Sequence, residues 1–419
     1  MSSLRRRRPS PAAVPPLEDE DLLSEILLRL PPQPSSLPRA SLVCKRWRGL
    51  VSDPGFCRRF RRRHRRNPPL LGFFQVDDGL SFMPSLKAPD RVSPERFSLQ
   101  HKDLVDRFFS LGCRHGLRFS LQHQDLVDRF FSLGCRHGLA LIYLRKRLQL
   151  LVWDPVTGDQ HHIAVPPGFD TETSPISGAV FRSAGDVQHF HLALVGSSER
   201  QITQAVARVY SSETGVWGDL ITTPLQSEDA AHFRIAVSTI KPAVLVGGSL
   251  YWLLDGSSGG ILEFDMDRQR LAVIPMPVND LRFFHFSMIR ADGGGFGLLV
   301  LSGFSAQFWK RRINCDGVAS WVLGRTIEID KLLHCEPESN GSQLILGFAE
   351  DNNVVLFWII DGPVMLQLES LQSEKVLGTK IMAHYHSFES VYTTERGIGG
   401  PEADLLTTPE ILVQLDMLL

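Results

Sequence analysis

The chain has 419 residues, of which 43 % are hydrophobic and 22 % are charged, and its formal net charge is −1 at pH 7. This length suffices for two or three domains with sizeable buried cores. The composition excludes a helical membrane span, because the longest apolar candidate, residues 140–153, is interrupted by Arg145, Lys146 and Arg147.

Positive charge is concentrated at the start of the chain. Residues 1–70 hold 16 Lys and Arg and 6 Asp and Glu, a net charge of +10, whereas the remaining residues hold 29 and 40, a net charge of −11. The N-terminal arginines are not followed by an apolar run, so no secretory signal is predicted. The six cysteines are too scattered for a disulfide framework or a zinc site. We therefore expect an intracellular protein of the cytoplasm or nucleus.

The first 15 residues are predicted to be disordered, because their Arg, Ser, Pro and Ala residues offer little apolar surface to bury. Arg5 to Arg8 fit either a nuclear import signal or a solvated tail, and the sequence does not decide between them.

Residues 16–66 have the pattern of three short amphipathic helices. Acidic residues at 19–21 favour a helix start, apolar residues follow at helical spacing, and Pro31-Pro32 ends the first helix. Ser36 is a candidate cap for a second helix with Pro38 in its first turn, and a third helix begins at Asp53-Pro54. About 45 residues cannot bury this much apolar surface, so a partner should cover part of it.

The segment DLLSEILLRLPP, followed by SLVCKRWRGLVSDPGF, resembles an F-box. Leu17 is followed by Glu18, whereas the family usually has Leu-Pro at this point. The resemblance implies docking on a Skp-type adaptor, and through it on a cullin-RING ubiquitin ligase. The residues that would face the adaptor are Leu17, Ile26, Leu27, Leu30, Pro31, Pro32, Leu42, Val43, Cys44 and Trp47. The alternative is that these apolar side chains only hold the helices together.

A dense basic run extends from Arg58 to Arg66, and Asn67-Pro68-Pro69 then forms a hinge. Arginine runs of this kind can contact phosphates of a nucleic acid. We favour the solvated end of the third helix, because no aromatic platform or zinc-finger spacing accompanies the run.

A tandem repeat follows, in which residues 96–117 and 118–139 differ only at Lys102 and Gln124. Two copies are too few for a solenoid, so we interpret them as a recent duplication or a gene-model artefact, with one copy surplus. Within each copy, DLVDRFFSL has helical spacing and Cys-Arg-His-Gly is typical of a turn before a strand. A catalytic role for this Cys and His is disfavoured, since no third group orients the pair.

From residue 70 to 392, short apolar runs alternate with Gly, Asp and Ser turns, which predicts many strands. A strand-turn-strand unit recurs, with turn residues at Asp154, Ser211, Asp265, Asp316 and Asp361. Units of this regularity suggest propeller blades.

VWDPVTG and the segment from GGSLYWL to LEFD resemble the F-box-associated, kelch-like propeller of plant F-box proteins. The predicted fold is therefore α+β, with a small three-helix F-box followed by an all-β, propeller-like domain of six to eight blades. Leu70 to Phe74 are expected to close the ring against the last blade. Residues 393–419 are predicted to form a tail, and the loops 166–175 and 222–231 are candidates for binding a target.

The search for catalytic motifs favours a protein without enzymatic activity. Residues 256–260 match G-x-S-x-G but precede a strand, so we interpret them as a hairpin turn, and the glycines at 293–297 also lead into a strand. The pairs His189/His191 and His384/His386 could each share a strand face, but no acids accompany them as metal ligands. We expect no cofactor and no metal.

The sequence predicts the substrate-recognition subunit of a Skp–cullin–F-box ubiquitin ligase, which positions an unidentified target through its β domain. Two alternatives remain open: an adaptor-binding scaffold without ligase targeting, and a nucleic-acid-binding protein that uses Arg58 to Arg66.

Overall fold

The computed structural model describes residues 19–76, 80–97, 99, 130–169, 175–183, 186, 188–197, 204–225, 236–255, 260–278, 283–291, 293–313, 319–333, 343–376 and 384–393. A boundary between His64 and Arg65 separates a helical unit, described here over residues 19–64, from a β unit formed by residues 65–391. The predicted basic lead 1–15, Leu17, most of the tail and most of the tandem repeat lie outside the described residues.

The helical unit contains four helices. Asp19 caps the first, because its carboxylate accepts hydrogen bonds from the N–H groups of Asp21 and Leu22 at 3.0 and 3.1 Å. Asp53 accepts from the N–H of Phe56 at 2.7 Å in the same way, at the start of the last helix. The helices are α1 Glu20–Leu27, α2 Ser36–Ser41, α3 Lys45–Val51 and α4 Pro54–His64.

The prediction of a single second helix after Ser36 is wrong, because two helices, α2 and α3, occupy this part of the chain. The chain breaks between Ser41 and Lys45, where Cys44 is extended with φ −162° and ψ 170°. Ser36 is the first residue of α2 rather than its cap, which is Ser35, and no side-chain capping bond forms there. Helical spacing continued across the break because α2 and α3 each turn an apolar side inward, and spacing alone does not reveal a change of axis.

A small core holds these helices together. Leu23 and Leu27 of α1 and Phe56 and Phe60 of α4 are completely buried. The His64 ring packs at a tilt against the Phe60 ring, with 4.5 Å between centroids, and contacts the carbonyl of Leu28 at 2.9 Å. The apolar side of α4 therefore packs against α1, which leaves the arginines of α4 on its other sides.

The β unit contains six antiparallel sheets. One sheet combines strands from both ends of the unit, in the order β2-β1-β25, and the other five follow one another along the chain. The strands are β1 Leu70–Val76, β2 Leu80–Pro84, β3 Phe130–Arg136, β4 Leu139–Leu144, β5 Gln149–Trp153, β6 Gln160–Ala164, β7 Ser177–Phe181, β8 His191–Ser197, β9 Gln204–Ser211, β10 Val216–Trp217, β11 Ile221–Pro224, β12 Ala236–Val237, β13 Val244–Val246, β14 Ser249–Asp255, β15 Gly260–Asp265, β16 Arg270–Ile274, β17 Phe286–Arg290, β18 Phe296–Ser302, β19 Ser305–Ile313, β20 Ala319–Glu328, β21 Leu344–Ala349, β22 Val354–Ile359, β23 Gly362–Gln367, β24 Ser373–Lys375 and β25 His384–Glu389.

These sheets are the blades of a six-bladed propeller. Neighbouring blades contact one another around the ring: β3 contacts β7, β8 contacts β12, β13 contacts β17, β17 contacts β21, and β21 contacts β25. Contact between β25 and β3 closes the circle, so the inner strands of the blades surround a central channel. The predicted all-β, propeller-like fold is confirmed, with the blade number at the lower end of the predicted range.

The first and last strands of the β unit close the ring, as predicted for residues 70–74. β1 pairs with β25 so that Phe73 faces Ser387 and Phe74 faces His386. A cluster of aromatic rings packs behind this pairing, with centroids 4.6 to 6.3 Å apart, and it consists of Phe74, Phe82, Phe97, Trp153 and Phe388. Ring pairs at these distances add about 0.5–1.5 kcal/mol each beyond their buried area.

Three of the five predicted turn residues occupy the same place in their blades, at the turn from the third to the fourth strand: Asp154 follows β5, and Ser211 and Asp265 are the last residues of β9 and β15. Asp316 lies outside the described residues. Asp361 is also a turn residue, as predicted, but it joins β22 to β23, the second and third strands of its blade. Any tight hairpin favours Asp and Gly, so turn composition does not identify which hairpin of a blade it serves.

The sequence predicts a helix over DLVDRFFSL, which is residues 125–133 in the second repeat copy. The prediction is wrong for residues 130–133, the described part of this segment, because they belong to β3, the channel strand of the first blade. The predicted turn is present at His137 and Gly138, which have φ of 54° and 76° and join β3 to β4. Helical spacing here misled because strand pairing with β4 determines the local conformation.

The one remaining α-helix in the described part of the chain is the short α5, Ile329–Leu333. Among the described residues, no helix is long and apolar enough to cross a membrane.

Deleting residues 96–117 should leave the propeller folded, because residues 118–139 supply the same side chains before β4. The connection from Phe97 to β3 then shortens from 32 to 10 residues. A shorter connection loses less chain entropy on closure, so the free energy of unfolding should rise by about 1 kcal/mol. Chemical denaturation followed by tryptophan fluorescence measures this.

Deletion of residues 118–139 is the matched control, since the resulting chain differs only by Lys in place of Gln. Both deletions should behave alike. Aggregation or a clear loss of stability in both deletion variants would show that the fold requires two copies of the repeat.

Candidate functional site

Two side chains at the break between α2 and α3 expose apolar surface. Leu42 is 45 % exposed and Val43 is 44 % exposed, and the adjacent Cys44 is also exposed. They are exposed because the chain leaves the α2 helix here and does not turn them back to the core. Neighbouring exposed apolar residues of this kind are typical of a docking surface.

The other predicted adaptor-facing residues differ widely in accessibility. Leu27 is fully buried and Trp47 is 6 % exposed, so both contribute to the core of the helical unit. Ile26, Leu30 and Pro32 are half-buried, whereas Pro31 is exposed. Leu17 lies outside the described residues. The structure brings Leu42, Val43 and Cys44 together at one break, and adaptor contact by any of the ten residues stays a prediction.

The arginines of α4 surround its apolar side. Phe56, Cys57 and Phe60 are buried, while the exposed residues of the basic run are Arg58, Arg59, Arg62, Arg63 and Arg66. Arg59 also donates to the Ser24 hydroxyl at 3.0 Å. This arrangement agrees with the solvated helix end that we favoured from the sequence, and it leaves a positively charged surface.

A buried ion pair bridges three blades at one end of the propeller channel. Arg136, the last residue of β3, donates from Nε to Glu350 Oε2 at 2.9 Å and from Nη2 to the same carboxylate. Its Nη2 also donates to the carbonyl of Ala243 at 2.6 Å, and the Leu245 N–H donates to Glu350 at 3.3 Å. The two side chains are 7 % and 13 % exposed. This bidentate pair is named here the channel pair.

Further charged groups crowd around the channel pair. Burial raises the pKa of Asp351 to about 6, and the neighbouring Glu350 carboxylate contributes to the rise. Burial raises the pKa of Glu389 to about 7, and the neighbouring Asp351 carboxylate contributes to the rise. Asn352 donates two hydrogen bonds to the Glu389 carboxylate, at 2.7 and 2.9 Å. Burial lowers the pKa of His137 to about 3, and the guanidinium groups nearby lower it further.

A cavity of about 50 Å³ lies next to the channel pair, since Glu350 is among its lining residues. Its lining includes Lys241, Ser287, His384 and Glu350. The Lys241 ammonium lies 4.2 Å from the centre of the Phe286 ring and donates to the Phe286 carbonyl, and burial lowers its pKa to about 7. A cavity of this volume has room for one or two water molecules but not for an organic substrate.

The features considered for catalysis serve structural purposes where they are described. β14 and β15 pair as an antiparallel hairpin on either side of residues 256–259, which lie outside the described residues, so G-x-S-x-G does not precede a helix. Burial raises the pKa of the Cys135 thiol, which disfavours the nucleophilic thiolate. His137 Nδ1 accepts the Arg182 N–H at 2.9 Å. Within the described ranges, no group of three or more His, Cys, Asp or Glu could hold a metal ion.

The two predicted histidine pairs have separate surroundings. His189 contacts the Asp186 carboxylate at 3.1 Å, and His191 stacks on Phe181. His384 stacks on Phe284 at 5.9 Å between centroids, whereas His386 is 2 % exposed and its Nδ1 has no hydrogen-bond partner among the described groups. Sequence reasoning missed the channel pair, because Arg136 and Glu350 are 214 residues apart.

Comparison with known families agrees with this two-part architecture. The F-box domain matches residues 19–59, and the family described as F-box protein AT5G49610-like, beta-propeller, matches residues 132–392. The second match covers more than half of the chain, so the chain belongs to this family of F-box propeller proteins. F-box domains in general bind Skp1-type adaptors, and the combination with a propeller points to substrate recognition in general terms. The sequence matches no curated protein.

Several solved structures are similar to the chain at low identity. Puromycin hydrolase is 14 % identical, with a TM-score of 0.33 over 60 % of this chain and 39 % of its own. The WD40 domain of SCAP from fission yeast is 10 % identical, with a TM-score of 0.32 over 62 % and 55 %. AztD from Citrobacter koseri is 11 % identical, with a TM-score of 0.33 over 61 % and 74 %. The chain therefore spans less than two thirds of the length of puromycin hydrolase and of the WD40 domain of SCAP. TM-scores this low carry no argument about function.

Removing one member of the channel pair should destabilise the propeller strongly. Arg136→Met or Glu350→Met leaves the other charge buried without its partner, and each should lower the free energy of unfolding by about 3–5 kcal/mol. The double variant should lose less than the sum of the two losses, as measured by chemical denaturation. Arg268→Met, which breaks the exposed pair with Asp265, is the control and should change stability little. Additive losses would argue against direct coupling.

Replacing His386 should make stability less sensitive to acid. Burial lowers the pKa of His386 to about 3, and the neighbouring His384 contributes to this decrease. Only the unfolded chain therefore takes up a proton on this residue near pH 6.5. Stability conferred by the neutral imidazole is therefore lost as the pH falls below about 6.5. Between pH 7 and 5, the wild type should lose about 2 kcal/mol relative to His386→Asn in denaturant unfolding. Parallel pH profiles for the two proteins would contradict this assignment.

Proposed function

We propose that this protein is the substrate-recognition subunit of a Skp–cullin–F-box ubiquitin ligase. The F-box docks on a Skp-type adaptor, which connects it to a cullin, and the propeller holds a target protein. The observation that carries the proposal is the joint presence of an F-box at residues 19–59 and a propeller of the F-box family at residues 132–392.

The exposed surface at the α2–α3 break supports docking on an adaptor. Leu42 and Val43 together present apolar side chains that the helical unit does not cover. Covering such a surface with a partner releases water from apolar area, which is the main favourable contribution in protein association. Trp47 and Leu27 would then act by holding the helices in the geometry that presents Leu42 and Val43.

The mechanism is positional. A target held by the propeller is kept near the ubiquitin-charged enzyme, and the raised effective concentration accelerates transfer without a catalytic residue in this chain. The protein would act in the cytoplasm or nucleus, where Skp-type adaptors and cullins are encountered.

Co-purification with a Skp-type adaptor tests the docking step. The variant Leu42→Asp/Val43→Asp places two charges on the exposed surface and should lower adaptor binding at least tenfold, while leaving the core intact. Leu22→Asp is the matched control, because Leu22 is also exposed, at 49 %, but lies outside the predicted contact set. Equal loss in both variants, or no adaptor binding by the folded wild type, would overturn the proposal.

An assay with a reconstituted ligase distinguishes a substrate receptor from a scaffold. The chain is assembled with adaptor, cullin, RING subunit and ubiquitin-charged enzyme, and ubiquitin transfer to proteins captured from an extract is followed by immunoblotting. A receptor should give transfer that disappears with Leu42→Asp/Val43→Asp. Adaptor binding without any transfer would favour the scaffold.

A further inference from the structure

Positive charge is concentrated in the later helices of the helical unit. Residues 26–64 hold ten Lys and Arg residues and one acidic residue, Asp53. The exposed arginines of α4 have a regular spacing, because Arg58 and Arg62 are four residues apart and so are Arg59 and Arg63. Residues four apart on a helix are neighbours, with about 6 Å between their Cβ atoms. These two pairs of side chains are named here the arginine rows.

The arginine rows make few contacts within the part of the helical unit that the structure describes. Arg59 contacts α1, where it donates one hydrogen bond to the Ser24 hydroxyl at 3.0 Å. The guanidinium groups of Arg62 and Arg63 form no hydrogen bond or ion pair with any described residue. The rows are therefore held on the surface by the helix itself, and their donors remain available.

One carboxylate lies next to the arginine rows on α4. Asp53 accepts the Phe56 N–H at 2.7 Å, and a Cβ added at Gly55 would lie 2.8 Å from Asp53 Oδ2 and 3.9 Å from Arg58 Nη2. The other acids of the described helical unit belong to α1 and its cap: Asp19, Glu20, Asp21 and Glu25. Glu25 is paired with Arg29 of the same segment at 3.2 Å. On α4 and its cap, four exposed guanidinium groups thus accompany a single carboxylate.

The helix dipole explains part of this arrangement. Cations are favourable in the last turn of a helix, and Arg62 and Arg63 lie in the last turn of α4. Arg58 and Arg59 lie one turn earlier, where like charges four residues apart oppose helix formation. The rows therefore carry a repulsion that a polyanion would relieve.

The composition of α4 favours a nucleic acid over an acidic protein. Phe56, Cys57 and Phe60 face the core, and none of the exposed large apolar side chains in the described chain belongs to α4. Protein interfaces usually have an apolar core within a polar rim, which this surface does not offer. Contact with a phosphate backbone requires only positive charge, and guanidinium groups bind phosphate oxygens with paired hydrogen bonds.

The same surface favours duplex DNA over a single strand or an RNA duplex. Single strands are bound by stacking bases on exposed aromatic rings, but Trp47, Phe56 and Phe60 are buried. The major groove of B-DNA admits an α-helix, whereas that of an RNA duplex is too narrow for side chains to read. The lack of an aromatic platform thus argues against base recognition and leaves phosphate contact open.

We propose that the arginine rows of α4 bind the phosphate backbone of duplex DNA without selecting its sequence. This is a second binding activity of the F-box unit. It goes beyond the proposed receptor function, since it requires neither the adaptor nor a target of the propeller.

The salt dependence of DNA binding tests this proposal. The full chain is titrated into two fluorescent DNA duplexes of about 20 base pairs and unrelated sequence, and anisotropy is followed from about 50 to 200 mM salt. Both duplexes should bind with the same affinity. The logarithm of the association constant should fall linearly with the logarithm of salt concentration, with a slope of about −3.5 for four phosphate contacts.

Two double variants connect this binding to the arginine rows. Arg62→Gln/Arg63→Gln should weaken binding at least tenfold at low salt and reduce the magnitude of the slope by about 2. Arg58→Gln/Arg59→Gln should act in the same way. Arg268→Gln/Arg270→Gln is the matched control, because it makes the same charge change at exposed residues of the β unit and should leave binding unchanged.

Circular dichroism of each variant establishes that its helices are retained, and co-purification with the adaptor is measured separately. The proposal therefore succeeds or fails independently of adaptor docking.

Several outcomes would overturn the proposal. Absence of DNA binding by the folded wild type, a slope that neither arginine variant changes, or an equal loss in the control would show that the rows do not hold phosphates. Tighter binding of a single strand or of an RNA duplex, or displacement of DNA by poly-glutamate at equal charge concentration, would assign the rows to a different partner.

Discussion

The pairing of β1 with β25 is the constraint on which the rest of the propeller depends. Without it, the β unit would be an open array with unpaired strand edges at both ends. With it, the first strands of six blades surround a channel and their ends meet at one rim. The aromatic cluster around Phe74 and Phe388 packs against this pairing, so the most specific apolar contacts are made where the two ends of the β unit meet.

Closure also explains why charged groups accumulate at one end of the channel. Strand ends from separate blades bring Arg136, Glu350, Asp351 and Glu389 together in a partly dry environment. There Asp351 and Glu389 are protonated more easily than in water, because burial raises the pKa of each, and His137 resists protonation. Arg136 offsets Glu350 in the channel pair. The same geometry therefore produces a buried ion pair that joins three blades.

The helical unit divides its apolar residues between two tasks. Leu27 and Trp47 are enclosed and hold the helices together, whereas Leu42 and Val43 are exposed at the α2–α3 break. A docking experiment is therefore more informative at the exposed pair, because changing a core residue unfolds the module as well as weakening any contact. In the proposed receptor, the F-box and the propeller contribute binding and position, and the chemistry belongs to the ubiquitin-charged enzyme.

The sequence by itself determined the features that depend on local pattern. SLVCKRW and SDP identified the F-box, repeated strand-turn-strand units predicted the propeller, and Leu70 to Phe74 were correctly expected to close the ring. Local pattern failed at the break near Cys44, at residues 130–133 and at Asp361, because helical spacing and turn composition do not specify axis, pairing partner or position within a blade.

Only the tertiary structure decided which side chains meet. Nothing local relates Arg136 to Glu350, since their proximity follows from ring closure over more than 200 residues. The sequence likewise did not decide that Leu42 is exposed and Leu27 is buried, because both residues lie at apolar positions of the same pattern. Spacing along a chain records which residues can share a face, whereas contact and burial depend on what the completed fold places opposite that face.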